Sequence, residues 1–152
     1  MSLIIATGSN QGNCEENLQN AQAVLETHFK LIKSSRVYSS KAVDYCDQPF
    51  FLNQVHEFEI PKKAPAEIMT LLLSIERSLG RERKLEKGPR IIDLDILFFG
   101  NLISDTEHLN LPHPRLFERS FVLRPLSELP YYKVLEQQFK FNFNFEIDAS
   151  PI

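Results

Sequence analysis

Short apolar runs separated by polar punctuation follow one another along the chain, and their spacing alternates between strand-like and helical. Leu3, Ile4, Ile5 and Ala6 read as a buried strand closed by Gly8, Ser9 and Asn10. Asn10 or Asn13 is placed to cap the next helix. In that helix Leu18, Ala21, Val24 and Leu25 share one face, and Glu15, Glu16, Gln19 and Glu26 lie outside it. Residues 31–39 read as a second strand, 40–49 as a polar stretch, and the partly alternating residues 51–60 as a third strand. Pro61 and Pro65 bracket a turn that opens a second helix. Its stripe is Ile68, Leu71, Leu72, Ile75 and Leu79, and Gly80 ends it.

Residues 81–90 have no apolar period and read as an exposed loop. The run 91–99 is strongly β-prone, and Gly100–Asn101 turns it into Leu102–Ile103. The last third is broken by Pro112, Pro114, Pro125 and Pro130; it predicts a short helix over 121–129 and a final strand pair within 134–145. The order strand, helix, strand, strand, helix, strand implies an α+β fold. It predicts a ferredoxin-like βαββαβ sandwich, with an antiparallel sheet and helices packed on one face.

A length of 152 residues with 43% hydrophobic positions suits one domain over 1–152 with one core. Twelve Phe and no Trp make phenylalanine the main aromatic packing material. The formal net charge of −3 gives no global attraction to nucleic acid or to an anionic membrane. The apolar run at 3–6 is too short for a signal peptide or a span, so the chain reads as soluble and cytoplasmic. Cys14 and Cys46 are isolated in polar surroundings; one disulfide is open to them, and reduced thiols are the plainer reading.

Four groups of residues carry candidate chemistry. Asp93 and Asp95 alternate within an apolar strand, so both carboxylates face one side about 7 Å apart. A divalent cation would remove their repulsion, and oxygen-only ligands suit Mg²⁺; two solvated acids on an open face is the alternative. The loop 81–90 brings Arg81, Arg83, Lys84, Lys87 and Arg90 to the start of that strand. Guanidinium forks match phosphate oxygens, although a charge run is commonly only a solvated loop. Beside an acid pair, such cations are the parts for handling a polyphosphate. The segment 111–121 packs His113, Arg115, Arg119, Phe117 and Phe121 together, with Pro112 and Pro114 fixing the backbone at His113. The run Phe50, Phe51, Leu52, Asn53 offers rings to stack on a flat heterocycle and an amide to read its edge, or simply core side chains. There is no Walker A loop, no nucleophile elbow and no recognisable Cys–His motif.

Together these segments resemble the 6-hydroxymethyl-7,8-dihydropterin pyrophosphokinases. The resemblance rests on Gly8-Ser9-Asn10, on Gly80-Arg81-x-Arg83 with Gly88-Pro89-Arg90-Ile91-Ile92-Asp93-Leu94-Asp95-Ile96-Leu97, and on Pro112-His113-Pro114-Arg115-x-x-x-Arg119-x-Phe121-Val122-Leu123-x-Pro125-Leu126. It covers roughly residues 3–130. It implies the same ferredoxin-like fold and a monomeric enzyme of folate biosynthesis. The implied substrates are ATP and 6-hydroxymethyl-7,8-dihydropterin, with two Mg²⁺ ions held by Asp93 and Asp95. The hydroxymethyl oxygen would attack the β-phosphorus and AMP would leave.

By position, Arg81, Arg83 and Arg90 match phosphate-contacting arginines and join Asp93 and Asp95 as the implied catalytic set. In relatives Arg81 and Arg83 lie on a loop that closes over ATP. Glu76, Ile96, His108, Leu109, His113 and Arg119 match positions around the nucleotide, beside Arg83 and Arg90. Phe51 and Phe121 match the aromatic pair that sandwiches the pterin, and Asn53 the residue that reads its edge. Gly8, Ser40, Val43 and Asp93 complete the implied pterin site, Ser40 and Val43 mainly through backbone.

The chain departs from the family pattern at three places. Residues 39–45 contain neither the usual Pro nor Gly, Lys87 stands where some relatives carry Trp, and His108 where some carry Arg. The altered 39–45 segment motivates one rival reading, a pterin or nucleotide binder without turnover. A ferredoxin-like RNA-binding module is a second; Asp93 and Asp95 on the best strand would repel its phosphates. For the Phe-rich stretch 139–145 core packing is the default reading.

Overall fold

The computed structural model describes residues 1–40, 50–80 and 91–152. Strand β1 (Ser2–Ser9) leads into α1 (Cys14–His28). Asn13 caps that helix, its side chain accepting the Glu16 N–H at 3.2 Å, and Glu15 and Glu16 place negative charge on the first turn. Leu18, Ala21 and Leu25 are the buried stripe, as their spacing predicts. Helix α2 (Pro65–Ser78) opens with proline in its first turn and buries Ile68, Leu72 and Ile75. Gly80 follows it at φ +98°, a conformation that favours glycine.

The run 31–39 is two strands rather than one, β2 (Leu31–Ser34) and β3 (Tyr38–Ser40). Ser35 is the reason. Its Oγ accepts the Val55 N–H at 3.0 Å, where an unbroken ladder would present a carbonyl, and donates to Arg36 O. Both strands pair with β4 (Phe51–Glu59). Strand β5 (Asp93–Phe99) pairs with β1. Among the described residues a six-stranded sheet runs β5-β1-β4-β3 and ends on β8 (Ser150–Pro151), with β2 also on β4, and every pairing is antiparallel.

Register assigns the two faces. Leu3, Ile5, Phe58, Leu94 and Ile96 point to the side covered by α1 and α2. Ile4, Val55, Leu97 and Phe98 form a second core on the other side. The β1–β5 register slips between Ile4 and Ile5, so Leu97 and Phe98 both reach that second core. It is roofed by α3 (Ser120–Leu126) and α4 (Tyr132–Leu135), so helical cover is not confined to one face.

Two expectations for the C-terminal third are corrected. Leu102 and Ile103 are not a strand; the short hairpin is β6 (Ser104–Asp105) with β7 (Asn110–Leu111). The pair of strands sought within 134–145 is also absent. There α4 gives way to a segment in which Phe139, Phe141, Phe143 and Phe145 alternate inward without a ladder among the described residues. Their rings meet Phe98, Phe117 and Tyr132 instead, so the period of two comes from ring packing. The chain returns to the sheet only at β8 (Ser150–Pro151), beside β3.

Candidate functional site

On the face roofed by α3, the ends of β1, β4 and β5 place four sequence-predicted residues in one patch. Gly8 pairs with Asn53 on one side and Asp93 on the other, and Asp95 stands two residues along, opposite Ala6. Asp95 is exposed, while Asp93, Phe51 and Phe121 are half-buried, so solvent reaches this end of the face. Phe51 shares the Asn53 side of β4, and α3 carries Phe121 over the same face.

Gly8 is needed for its missing side chain. A Cβ there would lie 2.8 Å from Asn53 Oδ1, closer than real contacts allow. The Asn53 amide therefore lies across the strand at Gly8. Asn53 is 8% exposed, and its Nδ2 donates to Ser40 Oγ at 3.5 Å. Asn53 thus meets both Gly8 and Ser40, the two strands beside it each contributing a residue implied for the pterin.

Glu76 is buried at 2% exposure, and its Oε2 accepts the Leu94 N–H at 2.8 Å. This ties α2 to the residue between the two aspartates. A sign of it was available in the sequence: Ile68, Leu72 and Glu76 are spaced by four, so an acid sits on the apolar stripe. Asp93 and Asp95 are hard oxygen donors. Among the described residues no cluster of three or more His, Cys, Asp or Glu side chains stands ready for a metal.

His113 begins the 3₁₀ turn Pro114–Glu118, where its Nδ1 accepts the Arg115 N–H at 3.2 Å. Desolvation lowers its pKa, and the positive charges of Arg119 and Arg115 lower it further. Neutral His113 with Nδ1 accepting leaves Nε2–H as a donor. Arg119 links the 3₁₀ turn to α3, with its guanidinium carbon 5.8 Å from the centroid of the Phe121 ring.

Ile96 and Leu109 pack with the helix-side core, away from the acids, and His108 is exposed in the turn between β6 and β7. The Leu109 N–H and carbonyl already bond within that turn, to Thr106 and Ser104. The side chains of Ile96 and Leu109 therefore lie on the face opposite Asp93 and Asp95. Val43, Arg81, Arg83 and Arg90 lie outside the described residues, as do Cys46 and Lys87.

Residues 4–131 match the family model described as 7,8-dihydro-6-hydroxymethylpterin-pyrophosphokinase. A 2-amino-4-hydroxy-6-hydroxymethyldihydropteridine pyrophosphokinase from Bacillus subtilis is 44% identical over 127 residues, 82% of this chain and 75% of that protein. A mitochondrial folate synthesis bifunctional protein from Arabidopsis thaliana is 40% identical over 84% of this chain, which spans 23% of its length. The Plasmodium falciparum HPPK-DHPS crystal structure with pteroate superposes at a TM-score of 0.64 and 14% identity. That match covers 94% of this chain and 40% of the other, and carries the fold alone.

Proposed function

The chain belongs to the 7,8-dihydro-6-hydroxymethylpterin-pyrophosphokinase family, and we propose that it transfers a pyrophosphoryl group from ATP to the hydroxymethyl group of 6-hydroxymethyl-7,8-dihydropterin in folate biosynthesis. The observation that carries this reading is the patch of Gly8, Asn53, Asp93 and Asp95 beneath the helix bearing Phe121. It combines an amide for a heterocycle edge, rings for its faces and an acid pair beside them.

Phe51 and Phe121 hold the pterin plane, and Asn53 reads its edge, with Gly8 leaving room for the amide. Asp93 and Asp95 would hold Mg²⁺, two ions in this reading. Two carboxylates with the remaining positions left to phosphate and water are the donor set Mg²⁺ commonly takes. Bound there, Mg²⁺ would offset triphosphate charge and acidify the attacking hydroxyl. The hydroxymethyl oxygen forms a bond to the β-phosphorus as the bond to the oxygen bridging the α-phosphate breaks. The hydroxyl proton passes to solvent, and AMP leaves with the bond's electron pair. Glu76 is engaged at Leu94 and is not a base for this step. Its part is to hold the strand carrying the acids, so the chemistry rests on positioning and charge stabilisation. Arg81, Arg83 and Arg90 contact the phosphates in this proposal, and His113 Nε2–H with Arg119 faces the nucleotide.

The strand order β5-β1-β4 with β2 and β3 beyond supports the ferredoxin-like assignment. We read residues 1–152 as one domain acting as a cytoplasmic monomer without nucleic-acid or membrane partners. No described helix is long and apolar enough to cross a membrane.

The test mixes the protein with ATP, Mg²⁺ and the pterin and measures AMP with and without pterin. Pterin-dependent AMP, lost on chelation and in Asp95→Ala, is the expected result. Bound ATP without AMP release would replace the enzyme by a binding protein, and near-normal turnover in Asp95→Ala would remove the metal assignment.

A further inference from the structure

The C-terminal segment lies outside the matched residues 4–131 and grips the helix that carries Phe121. Ser120 is 2% exposed; its Oγ donates to Ile147 O at 2.8 Å and accepts the Ala149 N–H at 2.9 Å. Between those two residues stands Asp148. Arg124, one helical turn after Ser120, forks onto both Asp148 oxygens at 3.0 and 2.8 Å. That hydrogen bonding holds the Asp148 carboxyl below its ordinary pKa despite some opposing desolvation. The same guanidinium lies over the rings of Phe143 and Phe145, at 5.3 and 5.6 Å. Phe121 is thus bracketed by two residues that bind one point of the tail.

Helix α3 needs such a grip. It has seven residues, with Pro125 inside and no side-chain cap at its start, so its own hydrogen bonds hold it weakly. Its far end is tied separately, where Glu128 accepts from Arg36 Nε at 3.0 Å and from the Tyr38 hydroxyl. Past Asp148 the tail joins the sheet as β8 beside Tyr38 and Ser39, and the Ile152 N–H donates to Val37 O at 3.0 Å. Strand β3 ends at Ser40, the hydroxyl that meets Asn53. One segment therefore holds both the helix of Phe121 and the strand of Ser40.

We propose that residues 143–152 are a positioning strap for the pterin side of the site, anchored at Asp148 through Ser120 and Arg124. This rests on the function proposed above. Asp148 touches no substrate in this scheme; it is a positioning residue that acts through Phe121 and Ser40. The nucleotide is expected to feel it less than the pterin does, because the acids are held by β5 and α2 on the opposite edge of the sheet, and Arg119, which precedes Ser120, is also tied to the 3₁₀ turn through its N–H to Leu116 O at 3.2 Å.

The test compares KM for pterin and for ATP, with kcat, in wild type, Asp148→Ala, Asp148→Asn, and the exchange Arg124→Asp with Asp148→Arg. Lys30→Ala, which removes an exposed ion pair with Glu59, is the control. Asp148→Ala is expected to raise pterin KM about tenfold while ATP KM and kcat stay within about twofold. Asp148→Asn keeps the side-chain shape and gives a smaller rise, which covers the case in which the alanine variant does not fold. The exchange is expected to recover most of the loss. Unchanged pterin KM in the folded variants, or equal rises for pterin and ATP, would overturn the strap. A wild type that shows neither pterin binding nor pterin-dependent AMP would overturn the function reading itself, and the strap with it. Normal wild-type turnover with indifferent variants removes the strap alone.

Discussion

Gly8 and Asn53 show how much a single absent side chain can decide. Asparagine on a strand interior is disfavoured, and its amide needs both room and partners when 8% exposed. Room comes from the missing Cβ across the ladder, and one partner from Ser40. Gly8→Ala would put a carbon 2.8 Å from Asn53 Oδ1 and force the amide aside. We expect about 10- to 100-fold loss in kcat/KM for the pterin, with ATP KM little changed. Steady-state kinetics with each substrate varied in turn checks this; equal losses for both would place Gly8 in the general fold.

At the scale of elements, α2 and β5 act as a unit. Among the described residues β5 is the edge of the sheet next to β1, and Leu94 pairs with Thr7 on its inner side. Glu76 accepts the Leu94 N–H, so the helix satisfies a buried donor on the strand and sets the strand between its two aspartates. Removing the acceptor in Glu76→Ala leaves that amide unpaired and is expected to cost about 1–3 kcal/mol of stability. Glu76→Gln keeps an acceptor oxygen and is expected to lose less. Denaturant unfolding orders the variants, and ATP affinity should follow the same order, because Asp93 and Asp95 move with Leu94. A stable Glu76→Ala with unchanged ATP affinity would disconnect α2 from the acids.

For the molecule as a whole, the sheet is coated by cores on both faces, and a buried histidine makes its stability depend on pH. His56 is 0% exposed, with Ser34 Oγ 2.7 Å from Nδ1 and Thr7 Oγ1 3.4 Å from Nε2. Desolvation lowers its pKa from 6.5 to about 4. The unfolded chain therefore binds the proton first as pH falls. Stability from this group is complete above about 6.5, declines as pH falls towards about 4, and changes little below that. The full loss is about 3 kcal/mol. Melting temperature measured from pH 7.5 to 4 should decline in that window, and His56→Gln should flatten the decline; an equally steep fall in the variant would assign the acid sensitivity elsewhere.

Local pattern by itself located the strands that run 2–9, 51–59 and 93–99, although it closed the first at Gly8 and Ser9 where the ladder continues, and it located both long helices and the pairing of Asp93 with Asp95 on one face, because each depends on period and neighbours within a few residues. The Phe alternation over 139–145 was equally visible, yet its meaning was not. A period of two is common to a ladder strand and to a segment whose rings lean on a helix, and only the position of Phe98, Phe117 and Tyr132 distinguishes them. The break at Ser35 belongs to the same class, since it follows from a bond to Val55 twenty residues away. So do the grip of Asp148 on Arg124 and the bond from Glu76 to Leu94, which join residues 24 and 18 positions apart. Such contacts exist only once the sheet has set the register, which brings distant polar groups within hydrogen-bonding range.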